Sequence, residues 1–168
     1  MSGDLPTTIT PTSSMAWVEQ KLLEIVPLST TFRAKVGASS QADAARFVFR
    51  SFLLPSDLHT IERPSAVVEM GEFALRRVDL QHLRPDPEMT LILTDWVRFP
   101  DDLGASTTDF KNFVGGVMDD IGLLQGTDDL LTIESLVVPV GKFGIVDPAA
   151  GAPRKYFMAD VQVRVSKL

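Results

Sequence analysis

Apolar and polar residues alternate along the last stretch of the chain. From Phe157 to Val165 every second residue is apolar, and the residues between them are mostly polar. A period of two is typical of a β-strand with one buried face and one exposed face. We therefore expect a C-terminal strand that completes a sheet and packs its Phe157–Val165 face on helices.

Three earlier segments are also rich in strand-forming residues, namely 64–80, 89–99 and 130–141. Gly71 interrupts the first of them and indicates a β-bulge. The second is partly apolar on both faces, which favours a central place in the sheet. The polar, proline-bearing stretch 81–88 between these two segments predicts a turn or loop.

Two segments carry apolar residues at helical spacing, 13–27 and 106–122. The second has the strongest pattern in the chain. Its apolar face comprises Phe110, Phe113, Val114, Val117, Met118 and Ile121. Ser106 and Asp109 form a capping-box pattern at its start, and Gly122 stands where the glycine that follows a helix belongs. We expect Phe110, Phe113, Val117 and Met118 to be buried on the sheet.

The stretch between the first helix and the first long strand is harder to assign. Residues 28–37 predict a short strand or an irregular segment. Residues 40–55 open with Ser40 and Asp43, another capping-box pattern, and favour a helix. The helical face would contain Ala45, Val48, Phe49 and Phe52. A strand over Phe47–Leu54 is the rival interpretation, because Phe47 and Phe49 also alternate.

Together these elements predict an α+β fold. We expect an antiparallel or mixed sheet of about four or five strands, with two or three helices packed on one face and a long hairpin loop before the C-terminal strand. Residues 1–13 are rich in Thr, Ser and Pro and predict a flexible N-terminal arm. Residues 14–168 then form a single domain.

Composition and charge narrow the possible functions. The chain has 168 residues and no cysteine, so disulfides and thiolate metal sites are excluded. Its formal charge of −6 argues against a broad nucleic-acid surface. No apolar run is long enough to cross a bilayer, and residues 1–14 lack the basic and apolar parts of a secretory signal.

Few residues indicate a catalytic, metal-binding or phosphate-binding site. His59 and His82 could act as general bases or metal ligands, but both lie in polar, turn-like stretches, and we interpret them as solvated. Three acid pairs could hold a divalent cation: Asp101–Asp102, Asp119–Asp120 and Asp128–Asp129. None lies in a calcium-loop pattern, and neither a nucleophile elbow nor a phosphate-binding glycine loop is present. We therefore predict no catalytic residue, no cofactor and no metal.

Two features of the predicted helix 106–122 are unfavourable for helix formation. Asp119–Asp120 lies in its last turn, where the macrodipole disfavours negative charge, so the pair is either simply exposed or faces a basic partner. Gly115 and Gly116 lie inside the helix, where together they cost about 2 kcal/mol relative to alanine. Either their face is bare, or another backbone approaches it closely.

The order and local pattern of these segments resemble the tail terminator, or tail completion, proteins of long-tailed bacteriophages. The resemblance is carried by a helix ending near EIVP, the strand PSAVVEMGEF, the segment MTLILTDWVRFPDD, the helix STTDFKNFVGGVMDDIGLLQG and the closing KYFMADVQVRVSKL. It covers nearly the whole chain from about Met15. It rests on order, length and local pattern rather than on a catalytic signature.

The resemblance implies a structural virion protein and not an enzyme. Proteins of this family are α+β subunits of a hexameric ring at the head-proximal end of the tail, where the ring stops tail-tube polymerisation and docks on the head connector. The implied partners are copies of the chain, the tail tube protein and the head-completion protein, with no membrane. The implied location is the tail or neck of the virion, assembled in the bacterial host cytoplasm. DNA would pass through the ring without sequence-specific recognition.

Residues 141–155 form the predicted contact surface. A loop of this length between paired strands is longer than a hairpin needs, which is typical of function or mobility. It would expose Phe143, Ile145 and Val146, surrounded by Lys142, Arg154 and Lys155. We expect an acidic surface of a neighbouring subunit, either Asp119–Asp120 or Asp128–Asp129, to attract this charge. The alternative is a disordered surface loop.

Other functions stay open at this point. Within the structural class, the chain could be a head-closure or neck adaptor, or another tail component. A small α+β enzyme would place its site near His59, His82 and an acid pair. A stand-alone ligand-binding domain is a third class. A ring of defined size favours the structural class, and a monomer with a deep polar pocket favours the others.

Overall fold

The computed structural model describes residues 14–50, 61–77, 83–124, 131–147 and 154–167. The helices are α1 Ser14–Ile25, α2 Thr30–Val36, α3 Gln41–Ala45 and α4 Leu103–Leu123, and a 3₁₀ turn spans Val26–Leu28. The strands are β1 Val48–Arg50, β2 Ser65–Arg77, β3 Leu83–Trp96, β4 Leu131–Val137, β5 Phe143–Val146 and β6 Tyr156–Lys167. Several predicted features lie outside the described residues, namely the arm 1–13, Phe52, His59, His82, the pair Asp128–Asp129 and part of the loop, 148–153.

The fold is α+β, as the sequence predicts. The six strands form one mixed sheet in the order β1-β2-β3-β6-β4, and β5 also pairs with β6. β1 pairs parallel with β2, and the other pairs are antiparallel. β4 and β5 lie end to end along one edge of β6, so six strands occupy five positions in the sheet.

The core lies between the helices and one face of the sheet. The predicted apolar face of β6 is buried there, from Phe157 through Val165. α4 covers this face, and Phe110 stacks on Phe157 with ring centroids 5.1 Å apart. Phe113 and Val117 are buried as predicted, whereas Met118 is only partly buried against the core. Each large apolar side chain buried in this way contributes about 1.5–3 kcal/mol.

Most of the stretch 28–37 forms helix α2, Thr30–Val36, and the prediction of a strand or irregular segment is wrong. The Ser29 hydroxyl accepts a hydrogen bond from the Phe32 amide at 3.0 Å and so caps α2. Phe32 is fully buried, and Gly37 follows the last residue of α2 in a left-handed conformation. A helix of seven residues is too short to display a helical period, which is why the pattern did not reveal it.

Residues 40–50 combine the two rival interpretations. Ser40 caps α3 as predicted, accepting a hydrogen bond from the Asp43 amide at 3.1 Å. The helix ends at Ala45, however, and Val48–Arg50 pairs with β2 as strand β1. The predicted helical face through Val48 and Phe49 is therefore wrong, and the rival strand interpretation holds for this part of its range.

Both predicted ends of α4 are wrong by several residues. The helix begins at Leu103, because Asp102 accepts a hydrogen bond from the Ala105 amide at 2.9 Å and acts as the N-cap. Ser106 is buried inside the helix and exchanges two 2.9 Å hydrogen bonds with the backbone of Phe99. The helix continues through Gly122 to Leu123.

β2 and β3 form the longest hairpin and extend beyond the rest of the sheet. The predicted bulge is confirmed, because the register shifts between Met70 and Phe73, around Gly71. β3 lies between β2 and β6, as predicted for a central strand. It begins at Leu83, so the turn predicted over 81–88 is wrong from residue 83 onward. Prolines favour turns but are also tolerated at strand edges, and pairing of β3 with β6 stops at Glu88.

The predicted loop 141–155 contains strand β5. A turn closed by a 3.0 Å hydrogen bond from the Lys142 amide to the Pro139 carbonyl separates β4 from β5. Gly141 has a φ of 81° in this turn, which glycine adopts without strain. The hairpin partner of β6 is therefore β5, and the connection to β6 begins only after Val146.

Candidate assembly surface

A groove of about 1100 Å³ opens where β3 ends and β6 begins. Four basic residues line it, namely Arg63, Arg98, Arg154 and Lys155. Two acidic residues, Asp95 and Asp147, also line it. Apolar side chains from three parts of the chain complete the lining, including Trp96, Leu103 and Ile145. The groove is thus both basic and apolar in a chain whose formal charge is −6.

Arg63 provides a buried positive charge in the lining of this groove. Only 5% of the residue is exposed. Its guanidinium carbon lies 3.7 Å from the ring centroid of Tyr156 and 5.0 Å from that of Trp96, a cation–π arrangement with two rings. Burial lowers the pKa of Arg63, and the hydrogen bond with Tyr156 partly offsets that effect. An arginine still carries its proton at neutral pH.

A network of four charges holds Arg98 in the wall of the groove. Lys35 Nζ lies 3.1 Å from Asp95 Oδ2 and 2.5 Å from Asp109 Oδ2. Arg98 Nε lies 3.5 Å from Asp95 Oδ2 and 3.8 Å from Asp109 Oδ2. The side chain of Asp95 is only 2% exposed. These contacts tie α2, β3 and α4 together beside the groove.

Large apolar side chains are exposed at the groove. Leu103 at the start of α4 is 52% exposed, and Ile145 on β5 is 42% exposed. Phe99, which precedes Pro100 of the lining, is 51% exposed. Clustered exposed apolar side chains mark contact surfaces more often than solitary ones do.

The other end of α4 exposes a different surface. Leu123 is 82% exposed, and Asp119 is exposed one turn before it. Residues four apart lie on the same side of a helix, so the carboxylate and the leucine are neighbours. The C-terminal end of a helix also carries partial negative charge. With 21 residues, α4 places this surface about 30 Å from Leu103.

The predicted acid pair Asp119–Asp120 is divided between two roles. Asp120 Oδ2 accepts hydrogen bonds from the Thr31 amide at 2.8 Å and from the Ser29 hydroxyl at 2.7 Å. This carboxylate therefore caps the start of α2 within the same chain, which accounts for its place in the last turn of α4. A contact of Asp120 with a partner subunit stays a prediction. Asp119 stays exposed and keeps that prediction open.

The other predicted interface residues are also divided. Phe143 packs on Phe110 with centroids 5.2 Å apart, so the prediction that it is exposed at a loop tip is wrong. Lys142 Nζ lies 3.3 Å from Asp160 Oδ2, away from the groove lining. Val146 is partly buried.

The groove brings together only three of the predicted residues: Ile145, Arg154 and Lys155. Lys155 Nζ also lies 3.1 Å from Asp147 Oδ2, an exposed ion pair of little energetic weight.

Sequence reasoning missed Arg63, Arg98, Leu103 and Leu123. Arg63 and Arg98 are isolated basic residues in the sequence, and only the pairing of β2, β3 and β6 brings them close to Arg154. Leu123 carried a usable signal, because it follows the apolar face of α4 but falls outside its spacing.

Two tests for other functions concern the described part of the chain alone. Within it, no three His, Asp or Glu side chains form a group that could hold a metal ion. No helix in these ranges is long and apolar enough to cross a bilayer. No protein-family model matches the chain, and no curated protein matches it either.

Proposed function

We propose that this protein is a structural virion subunit that assembles head-to-tail into a ring at the head-proximal end of a long phage tail. In this role the ring stops tail-tube polymerisation and joins the tail to the head connector. The proposal starts from the resemblance of the segment order to tail terminator proteins. An α+β architecture with helices on one face of a mixed sheet is compatible with it.

One structural observation carries the proposal. α4 has an exposed leucine at each end, Leu103 beside a basic groove and Leu123 beside a carboxylate. Closed rings are built from heterologous contacts, in which each subunit uses two different surfaces. Two apolar surfaces of unlike charge on opposite sides of one subunit meet that requirement. A self-complementary dimer would need only one such surface.

The test is the assembly state and the tail-capping activity of the full chain. We expect sedimentation velocity and electron microscopy to reveal closed rings of one size. Added to polymerising tail tube protein, the rings should bind tube ends and arrest elongation. A chain that stays monomeric at tens of micromolar and leaves tube growth unchanged would contradict the proposal. Rings that bind the head connector but not the tube would favour a neck adaptor.

A ligand-binding domain is the second candidate, favoured by the buried Arg63 in the groove lining. A groove of about 1100 Å³ with a fixed positive charge and aromatic rings could hold a small anionic ligand. Thermal stabilisation of a monomer by a small carboxylate or phosphate compound would favour this function. Ring assembly in the absence of any ligand would favour the first.

A further inference from the structure

We propose that the exposed end of α4, formed by Asp119 and Leu123, inserts into the basic groove of the next copy of this chain. The partner is a second copy, and each subunit would donate one α4 end and accept another. The inference rests on the proposed ring function and names its contact. It commits to one donor end and one acceptor groove.

Charge complementarity is the first argument for this pairing. The groove lining contains four basic and two acidic side chains among the described residues, an excess of two positive charges. Arg98 and Lys155 each lie near a carboxylate, while Asp95 also lies near Lys35 outside the lining. The α4 end presents the carboxylate of Asp119 together with the negative end of the helix dipole. Leu103 marks the N-terminal, positive end of α4 at the groove, so successive α4 dipoles would meet with opposite ends.

The distribution of apolar surface is the second argument. Leu123 is 82% exposed at the end of an otherwise amphipathic helix. The groove offers Leu103 and Ile145, both about half exposed, as apolar neighbours for it. An apolar anchor in a pocket with charged groups around it is the common arrangement of an interface hot spot.

The third argument is the distance between the donor end of α4 and the acceptor groove in one subunit. The donor end and the acceptor groove lie about 30 Å apart along α4, so one subunit cannot satisfy its own groove. Pairing between copies therefore propagates, and it closes into a ring where the rotation between subunits allows.

Charge reversal tests the contact directly. We expect Asp119→Arg and Arg154→Glu each to raise the protein concentration at half-assembly about tenfold or more, because like charges would then meet. Glu69→Arg and Arg46→Glu are the matched controls, since both alter exposed residues by the same charge without touching the groove or the α4 end. Circular dichroism should show all four variants folded. Equal effects of the test variants and their controls would overturn the proposal.

Mixing the two defective variants gives the sharpest result. In a mixture of Asp119→Arg and Arg154→Glu chains, each type retains one native surface, and the two reversed surfaces complement each other. We expect the mixture to assemble at close to the wild-type concentration, in complexes with an even number of subunits and alternating composition. A mixture that assembles no better than its components would overturn the contact, since a folding defect cannot be rescued in trans.

The apolar part of the contact has its own test. Leu123→Ser should weaken assembly about tenfold or more, whereas Val140→Ser, at a fully exposed valine in the turn before β5, should not. If wild-type rings form and cap tails but these variants behave alike, the ring function stands and the proposed contact fails. If the wild-type chain forms no ring, both fail.

Discussion

The carboxylate of Asp120, near the end of α4, accepts a 2.8 Å hydrogen bond from the backbone amide of Thr31 at the start of α2. The same oxygen accepts a hydrogen bond from the Ser29 hydroxyl at 2.7 Å. Partial burial raises the pKa of Asp120, but hydrogen bonds from Thr31, Ser29 and Thr30 outweigh it and hold the pKa below its ordinary value. One acid thus joins two helices that are about 90 residues apart in sequence.

This contact predicts a specific pH dependence. Asp120→Asn should lower the free energy of unfolding by about 1 kcal/mol at pH 7, the usual weight of a capping contact. A depressed folded-state pKa contributes stability above the ordinary value near 3.8, and that stability is lost as the pH falls through the folded-state pKa. Urea denaturation from pH 7 to pH 3 should therefore show the difference shrinking below about pH 4. Asp119→Asn, which removes the neighbouring exposed carboxylate, is the control for the stability loss at pH 7.

The paired glycines of α4 predict opposite effects of the same substitution. A Cβ on Gly116 would lie 2.7 Å from Thr31 Cγ2, whereas a Cβ on Gly115 would meet nothing within 4 Å. Gly115→Ala should therefore stabilise by up to about 1 kcal/mol. Gly116→Ala should destabilise by about 1–3 kcal/mol, because Thr31 is a stiff, β-branched residue that also bonds Asp120.

Thermal unfolding of both glycine variants would measure this contrast. Adding Thr31→Ala to Gly116→Ala should recover part of the loss, since it removes the two closest atoms. Equal stabilisation by both single substitutions would mean that Thr31 does not approach Gly116 as closely as the structure indicates. Two explanations were left open for this glycine pair. Gly115 lies on a face with no close neighbour, whereas Gly116 is closely approached. The approaching group is the side chain of Thr31 rather than a backbone.

The aromatic cluster under α4 predicts a large loss. Phe113 is 3% exposed and lies 6.3 Å from the Phe32 ring and 6.0 Å from the Phe110 ring, centroid to centroid. Phe113→Ala should lower the free energy of unfolding by about 3–5 kcal/mol, as expected for a buried phenylalanine that leaves a cavity. Leu123→Ala on the same helix should cost less than about 0.5 kcal/mol. Chemical denaturation that gave the two variants similar midpoints would reverse our assignment of the buried face.

The charge network beside the groove predicts a loss that a second substitution should relieve. Lys35→Met would leave Arg98 as the basic side chain paired with the nearly buried Asp95 among the described residues, and we expect it to cost about 2–4 kcal/mol. Asp95→Asn added to Lys35→Met should restore part of that stability, because it removes the uncompensated charge. A double variant less stable than Lys35→Met alone would mean that Asp95 does not depend on Lys35.

The sequence predicts the elements in which a hydrophobic pattern repeats over many residues. It does not predict the short elements. In β6 the alternation of apolar and polar residues repeats over several residue pairs, and in α4 the apolar face extends over three or more turns. Each pattern is therefore long enough to indicate one type of element. α2, with seven residues, and β5, with four, are held by Phe32 and Phe143, whose partners lie far away in sequence. Tertiary contacts, rather than local preference, decide such elements.

The same distinction applies to the candidate surface. Charge and exposure could be predicted one residue at a time, which identified Asp119, Arg154 and Lys155. The contacts of each residue could not be predicted in this way. Asp119 and Asp120 are equivalent in the sequence, and only the position of α2 shows that Asp120 is the one that accepts its hydrogen bonds. Likewise, the sequence predicts that Phe143 and Ile145 are both loop residues. The pairing of β5 with β6 instead places Phe143 against Phe110.

β5 therefore predicts a split between stability and assembly. Phe143→Ser should cost about 2–4 kcal/mol, because the ring packs on Phe110 and joins the core cluster. Ile145→Ser, at a residue that is 42% exposed in the groove, should cost less than about 1 kcal/mol yet weaken self-association. Denaturation and sedimentation velocity on the same two samples would separate the effects. If Ile145→Ser unfolds like Phe143→Ser, the residue belongs to the core, and the groove loses one wall of its proposed contact.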